Sequence, residues 1–266
     1  MKKITTYYVT HMMIIFSSLT LIPSVYADDL NGADIIKEAT TRHNRDIEFE
    51  NQTMVLKKGN VIEEERVVRR YSRKDKSGYK YLMAFDNPPG VKGVALLTWE
   101  NIDGPDDQFL YLPSMNGKLK RIAESGKRSY FMGTDFTYED LMIESRDKFK
   151  YERMPDVTFD GKPAYQVNAV PVDKTIMSTT GYKSRTMTIL KGNFFVAKTV
   201  YYDRRGRLLK QLTSADITQV EGMAWRAKKQ IMENFKNKHV TEVYVKERSF
   251  KDHDVPAKLF TQRHIK

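Results

Sequence analysis

The sequence predicts a mainly β protein with a few helices, built as a meandering antiparallel sheet that curls into a barrel or half-barrel. Three observations carry this expectation. Short runs rich in β-branched and aromatic residues recur at nearly regular spacing, glycine, asparagine and proline clusters punctuate them, and helical periodicity between them is too scarce for a parallel α/β enzyme.

Residues 1–27 read as a secretory signal peptide. Lys2 and Lys3 supply the positive start, Met12 to Ile22 the apolar core, and Val25-Tyr26-Ala27 a small-residue cleavage site before Asp28. The apolar core is shorter than the roughly 20 residues of a membrane span and is broken by Ser17, Ser18 and Pro23. Residues 28–266 are then expected to form one exported domain.

Gly32 to His43 follows as an amphipathic helix, with Ile35, Ile36 and Ala39 on one face. Strands are expected over Phe49–Leu56, Val61–Tyr71, Tyr79–Phe85, Val94–Trp99, Gln108–Leu112 and Lys118–Ile122. A second series covers Ala164–Val170, Tyr182–Leu190, Phe195–Asp203, Leu208–Asp216, Ala224–Glu233 and Thr241–Lys246. Turn signals at Lys58-Gly59-Asn60, Asn116-Gly117, Asp160-Gly161 and Arg205-Gly206 separate them. Between the two series, Thr134 or Asp135 is a plausible N-cap for a helical turn over Phe136 to Leu141, and Gly133 allows a tight turn before it.

Successive strand residues point to opposite faces, so Met83 and Phe85, Phe109 and Tyr111, Met187 and Ile189, and Val200 and Tyr202 each share a side. Together with Leu97 and Trp99 they are the candidates for an apolar cavity. Two readings of that face stand open: an ordinary packed core, or a lipid-sized cavity covered by the helical segments. The 13 methionines fit both, since methionine fills irregular core gaps as well as adaptable binding surfaces. Arg121, Arg128, Phe131, Asp135, Phe136 and Tyr138 are the candidates for an entrance, lid or headgroup contact, because so many loop aromatics beside a basic stretch exceed what a plain connection needs.

The chain contains no cysteine, so an exported protein here uses no disulfides and cannot be lipidated through an N-terminal cysteine. Its net charge of +11 favours anionic partners such as lipid headgroups, with a merely solvated basic face as the plain alternative. Export disfavours nucleic acid. The histidines at 43, 239, 253 and 264 are isolated, and neither a His-Glu-x-x-His pattern nor a Gly-x-Ser-x-Gly elbow is present. No catalytic residue, metal or cofactor is therefore assigned.

Three stretches carry a family resemblance: Asp107-Gln108-Phe109-Leu110-Tyr111-Leu112-Pro113 with Arg121-Ile122, Phe131-Met132-Gly133-Thr134-Asp135-Phe136-Thr137-Tyr138-Glu139-Asp140-Leu141, and Pro256-Ala257-Lys258-Leu259-Phe260-Thr261. In these the chain resembles the periplasmic outer-membrane lipoprotein-sorting protein family, the LolA-like carriers, in an uncharacterised branch. The resemblance implies an incomplete antiparallel β-barrel of LolA/LolB type with a helical lid over a hydrophobic cavity. It implies a non-enzymatic carrier of a lipid or acylated lipoprotein, working with an inner-membrane exporter or outer-membrane acceptor through transient membrane contact. The same fold includes a periplasmic stress-signalling regulator, so a regulatory or adaptor module binding a membrane protein is the alternative.

Overall fold

The computed structural model describes residues 29–102, 104–142 and 146–265; the expected signal peptide at 1–27 lies outside the described residues. The helix α1 spans Gly32–His43, as the periodicity predicts. Asn31 caps it by accepting a 3.0 Å hydrogen bond from the Asp34 amide. Its start lies so close to the sheet that a side chain at Gly32 would come within 2.7 Å of the Tyr151 carbonyl oxygen.

Six strands then form a meander: β1 Ile47–Lys58, β2 Val61–Asp75, β3 Gly78–Asn87, β4 Ala95–Trp99, β5 Asp107–Leu112 and β6 Lys118–Arg121. Seven more follow: β7 Phe149–Phe159, β8 Lys162–Pro171, β9 Tyr182–Leu190, β10 Val196–Asp203, β11 Leu208–Glu221, β12 Ala224–Asn234 and β13 His239–Ser249. All belong to one antiparallel sheet ordered β6-β5-β4-β3-β2-β1-β13-β12-β11-β10-β9-β8-β7. The sheet stays open, with β6 and β7 at its edges; the barrel is incomplete, as expected.

The curl can be read from two neighbouring residues. Tyr138 offers its carbonyl to Gln108 of β5, while the Thr137 hydroxyl meets the Tyr182 hydroxyl of β9. Those strands stand nine positions apart in the sheet order and would be about 40 Å apart if it were flat.

Two elements escape the sequence pattern. β7 carries Pro155 inside a register irregularity between Met154 and Val157, which an edge strand tolerates because the missing amide owes no ladder bond on the outer side. The short helix α2, Lys174–Thr180, is poor in strong helix formers and rests on its ends: Asp173 accepts from the Ile176 amide, and Gly181 closes it at φ 83°.

Both faces of the sheet are covered. On the inner face, Ile35, Ile36 and Ala39 of α1 pack on Val167, Ala169, Met187 and Ile189. On the outer face the C-terminal segment lays Val255, Phe260 and Ile265 over Tyr71, Leu82, Leu97 and Phe109, and the Trp99 indole donates to the Phe260 carbonyl at 3.0 Å. Each such buried apolar side chain contributes roughly 1.5–3 kcal/mol.

Candidate functional site

Residues 127–142 form a strap across the inner face, in which the helical turn expected over Phe136 to Leu141 is shorter and is capped by neither Thr134 nor Asp135. Met132 and Gly133 take left-handed backbone angles, φ 47° and 78°, and turn the chain into a small hairpin closed by the Phe131 amide on the Phe136 carbonyl at 2.8 Å. Only Glu139–Leu141 is helical, as a single 3-10 turn. Its cap is Thr137: the Thr137 hydroxyl accepts from the Asp140 amide, and the Asp140 carboxylate accepts from the Thr137 amide at 2.6 Å. Thr134 instead bonds back to the Phe131 carbonyl, and the Asp135 carboxylate is bonded to His239 at 2.6 Å and Thr241 at 2.8 Å.

The strap is stitched to strands on both sides. Arg66 of β2 donates to the Met132 carbonyl at 2.7 Å, and Asn234 of β12 to the Tyr130 hydroxyl at 2.9 Å. At the centre, the fully buried Lys210 of β11 donates to the Asp135 carbonyl at 2.9 Å and forms an ion pair with Asp140, which also accepts from the Tyr182 hydroxyl at 2.8 Å. Burial lowers the Lys210 pKa against the pull of Asp140, and burial raises that of Tyr182 well above the ordinary phenol range. Phe131 sits between Phe85 and Tyr138, with ring centroids 5.7 and 5.5 Å away.

Among the described residues, cavities lie between the sheet and its covers, and two stand out. One, of about 340 Å³, lies under Phe136, Asp140, Leu141 and Met142 of the strap and the C-terminal end of α1. Its walls include Met54, Met83, Leu96, Leu212 and Val243 together with Arg70, Ser72, Tyr81, Thr98 and Arg226. The other, of about 350 Å³, lies under α1 and is lined by Ile36, Ala39, Met187, Phe195 and Val196 among others. His43, Leu212 and Gln230 border both. His43 accepts from the Trp225 amide through Nδ1 at 3.1 Å, and burial, helped by Arg226, lowers its pKa to about 4, so the imidazole is neutral near pH 7.

The first cavity has an ionic floor. Glu48 pairs with Arg226 at 2.8 Å and Arg248 at 3.0 Å; Glu50 pairs with Arg248 at 2.5 Å and Arg70 at 3.4 Å, and accepts from Gln52 at 2.7 Å. Burial opposes the Glu50 charge, yet Arg70 and Arg248 outweigh it and hold its pKa below the usual carboxylate value.

The fold recurs in solved structures. A domain from Vibrio parahaemolyticus named for outer membrane lipoprotein sorting is 30% identical, with a TM-score of 0.81 over 88% of this chain and 97% of that one. The chain belongs to the outer membrane lipoprotein-sorting protein family. A family model described as an uncharacterized protein matches residues 77–266 of this sorting-family chain. A DUF1329 family protein from Desulfovibrio piger, 22% identical, has a TM-score of 0.80 over 88% and 98% of the two chains. A LolA superfamily protein from Nitrosomonas europaea, 18% identical, scores 0.69 over 88% and 99%. These two share the fold of the sorting family. No curated protein sequence matches.

Within this sorting-family fold the cavity candidates part company. Met83 lines the first cavity and Met187 the second, while Phe85 and Ile189 are inner-face core. Leu97, Trp99, Phe109 and Tyr111 point to the outer face, under the C-terminal segment. On β4 and β5 the inner-face residues are Leu96, Thr98, Gln108 and Leu110. Val200 and Tyr202 are half-buried and alternate with Thr199 and Tyr201, which are the inward-facing pair.

Of the entrance candidates, Phe131, Phe136 and Tyr138 are buried, so the loop aromatics are packing surface and not exposed surface; Phe136 roofs the first cavity. Asp135 is a buried anchor. Arg121 is exposed and paired with Asp107, and Arg128 donates to the Ser178 carbonyl at the end of α2 at 3.1 Å. Lys127, next to Arg128 at the start of the strap, is buried against the Asp106 carbonyl at 2.8 Å. The ionic floor was missed. Its signal was the alternation Glu48, Glu50, Gln52, Met54, which puts acids on the same side of β1 as core residues.

Proposed function

We propose that this chain is a non-enzymatic periplasmic carrier that holds acyl chains of a lipid or lipoprotein between sheet, strap and α1, and moves them between membranes with a membrane exporter. The observation that carries this reading is the pair of roofed cavities on the inner face, about 340 and 350 Å³, each within the usual range for small-molecule sites. Among the described residues no helix is long and apolar enough to cross a membrane. One end of the sheet offers a place for membrane contact. Val61, Ile62, Leu208 and Phe235 are exposed there at neighbouring hairpin ends, beside Lys58, Arg204, Arg205, Lys236 and Lys238. The Gly59 amide on the Lys238 carbonyl and the Phe235 amide on the Leu209 carbonyl tie those ends together. Apolar tips among cations suit an anionic bilayer.

The test is extraction of natively purified protein with organic solvent followed by mass spectrometry, together with titration of a fluorescent fatty-acyl probe. Co-purified acyl lipid and saturable probe binding are expected. Lipid-free protein that binds no probe, yet captures one stoichiometric membrane-protein partner, would replace the carrier with an adaptor.

A further inference from the structure

The ionic floor of the first cavity does not balance. Three guanidiniums, of Arg70, Arg226 and Arg248, face two carboxylates, of Glu48 and Glu50. Both carboxylates are satisfied without Arg70: Arg226 and Arg248 hold Glu48, and Arg248 and Gln52 hold Glu50. The cluster therefore carries one surplus positive charge, and Arg70 is its most loosely held guanidinium. Its guanidinium keeps one hydrogen bond among the described residues, at 3.4 Å to Glu50, and lies 5.9 Å from the Tyr81 ring centre.

Arg70 sits mid-strand on the inner face, between Glu50 of β1 and Met83 of β3, yet its side chain is 40% accessible. An accessible guanidinium at such a position faces the cavity. The other charged groups lining the cavity are taken up elsewhere: Asp140 by Lys210 and Arg45 by Glu221. A guanidinium that lines the cavity and is held among the described residues by one long hydrogen bond has its other donors turned to whatever the cavity takes up, and an anion matches them best.

We infer that Arg70 receives the carboxylate head of a single-chain amphiphile, bound head-inward, with its tail among Met83, Leu96, Phe136 and Leu141. The planar fork of arginine matches a carboxylate through two parallel hydrogen bonds. One carboxylate neutralises one surplus charge, whereas a doubly charged phosphate monoester would overshoot it. The hydroxyls of Ser72, Tyr81 and Thr98, which lie opposite one another on β2, β3 and β4, complete the polar end. A neutral acyl-glycerol or amide-linked chain would leave the guanidinium unmatched. This ligand class rests on the carrier reading and narrows it.

The test is competition by hexadecanoic acid and by hexadecanol against a fluorescent acyl probe, on the whole protein and on Arg70→Gln and Arg70→Lys. A charge-assisted hydrogen bond predicts that the acid outcompetes the alcohol by roughly 10- to 100-fold in the unsubstituted protein. Arg70→Gln should lose that preference with the alcohol unaffected, and Arg70→Lys should keep part of it. Far-ultraviolet circular dichroism checks that the variants fold, and the acid-to-alcohol comparison on unsubstituted protein stands without them. Equal binding of acid and alcohol overturns the inference and leaves the carrier intact. Acetate competing as well as the long-chain acid overturns it in favour of a small-anion site. Binding of neither long-chain compound, with no probe uptake, removes the carrier reading itself.

Discussion

Replacing Lys210 with methionine tests whether the strap is held by a buried charge pair. The ammonium is fully buried, donates to the Asp135 carbonyl at 2.9 Å, pairs with Asp140, and has the rings of Tyr130, Tyr182 and Tyr201 within 5.5 Å. Methionine keeps the volume of the stem and gains a little from apolar burial. It strands the Asp140 carboxylate, whose remaining donors are the Tyr182 hydroxyl and Thr137. Breaking a buried pair by removing one partner costs about 3–5 kcal/mol, so a net loss of about 3 kcal/mol is expected in urea unfolding followed by circular dichroism. The double variant Lys210→Met with Asp140→Leu removes both charges and should recover at least about 1 kcal/mol of that loss, giving a clear coupling energy. Hydrogen exchange supplies the local readout. The Phe131 and Tyr138 amides, bonded to Phe136 and Ser129 within the strap, should lose protection before the strands do. A single-variant cost below about 1 kcal/mol, or strictly additive effects in the double variant, would refute the argument.

Two further outcomes follow from the geometry. The unfolded chain takes up a proton on His43 near pH 6.5 and the folded protein only near about pH 4, so this group's contribution is complete above pH 6.5 and is lost as pH falls towards 4. The full shift is discounted for the partial exposure of the ring to about 1–2 kcal/mol; urea midpoints should fall across that window and flatten in His43→Gln, and an unchanged slope in the variant would assign the loss to other groups. Met83→Trp should fill the first cavity and weaken acyl-probe binding at least tenfold, whereas Phe109→Ala on the outer face should cost about 3–5 kcal/mol of stability and leave the affinity of the folded fraction unchanged. Loss of probe binding by a folded Phe109→Ala protein would show that the faces are assigned the wrong way round.

The strand runs, the hairpin turns and α1 were legible because each rests on local chemistry: two-residue alternation, glycine and asparagine turns, and a one-sided apolar stripe with a cap. The inner face was legible on β3 and β9, where Met83 and Met187 line the cavities, but not on β4, β5 and β10. β4 and β5 are apolar on both sides, since Leu96 and Leu110 face the strap while Leu97 and Phe109 face the C-terminal segment, and alternation carries no information when both sides are covered. The strap was misread for a related reason. Thr134 and Asp135 have the residue types of a helix cap, but Asp135 is held by His239 and Thr241, more than a hundred residues away, and such partners leave no trace in a local window. The cavity charges were invisible individually, because an arginine in an exposed-looking run such as Arg69-Arg70 reads as solvated until its strand partner is known.

The pairing of β1 with β13 has a consequence for how the protein is made. Phe49 meets Ser249 and Lys58 meets His239 near the middle of the sheet order, so the seam between the two meanders joins the earliest and latest strands of the fold. Until β13 is in place, β1 and β12 are both raw edges that invite pairing with other chains. Hairpins can form early and locally, but closing the seam brings together residues some two hundred positions apart, which places this protein among slow folders. Loss of β13 would leave two half-sheets, each with an unprotected margin, instead of a slightly smaller version of the same molecule.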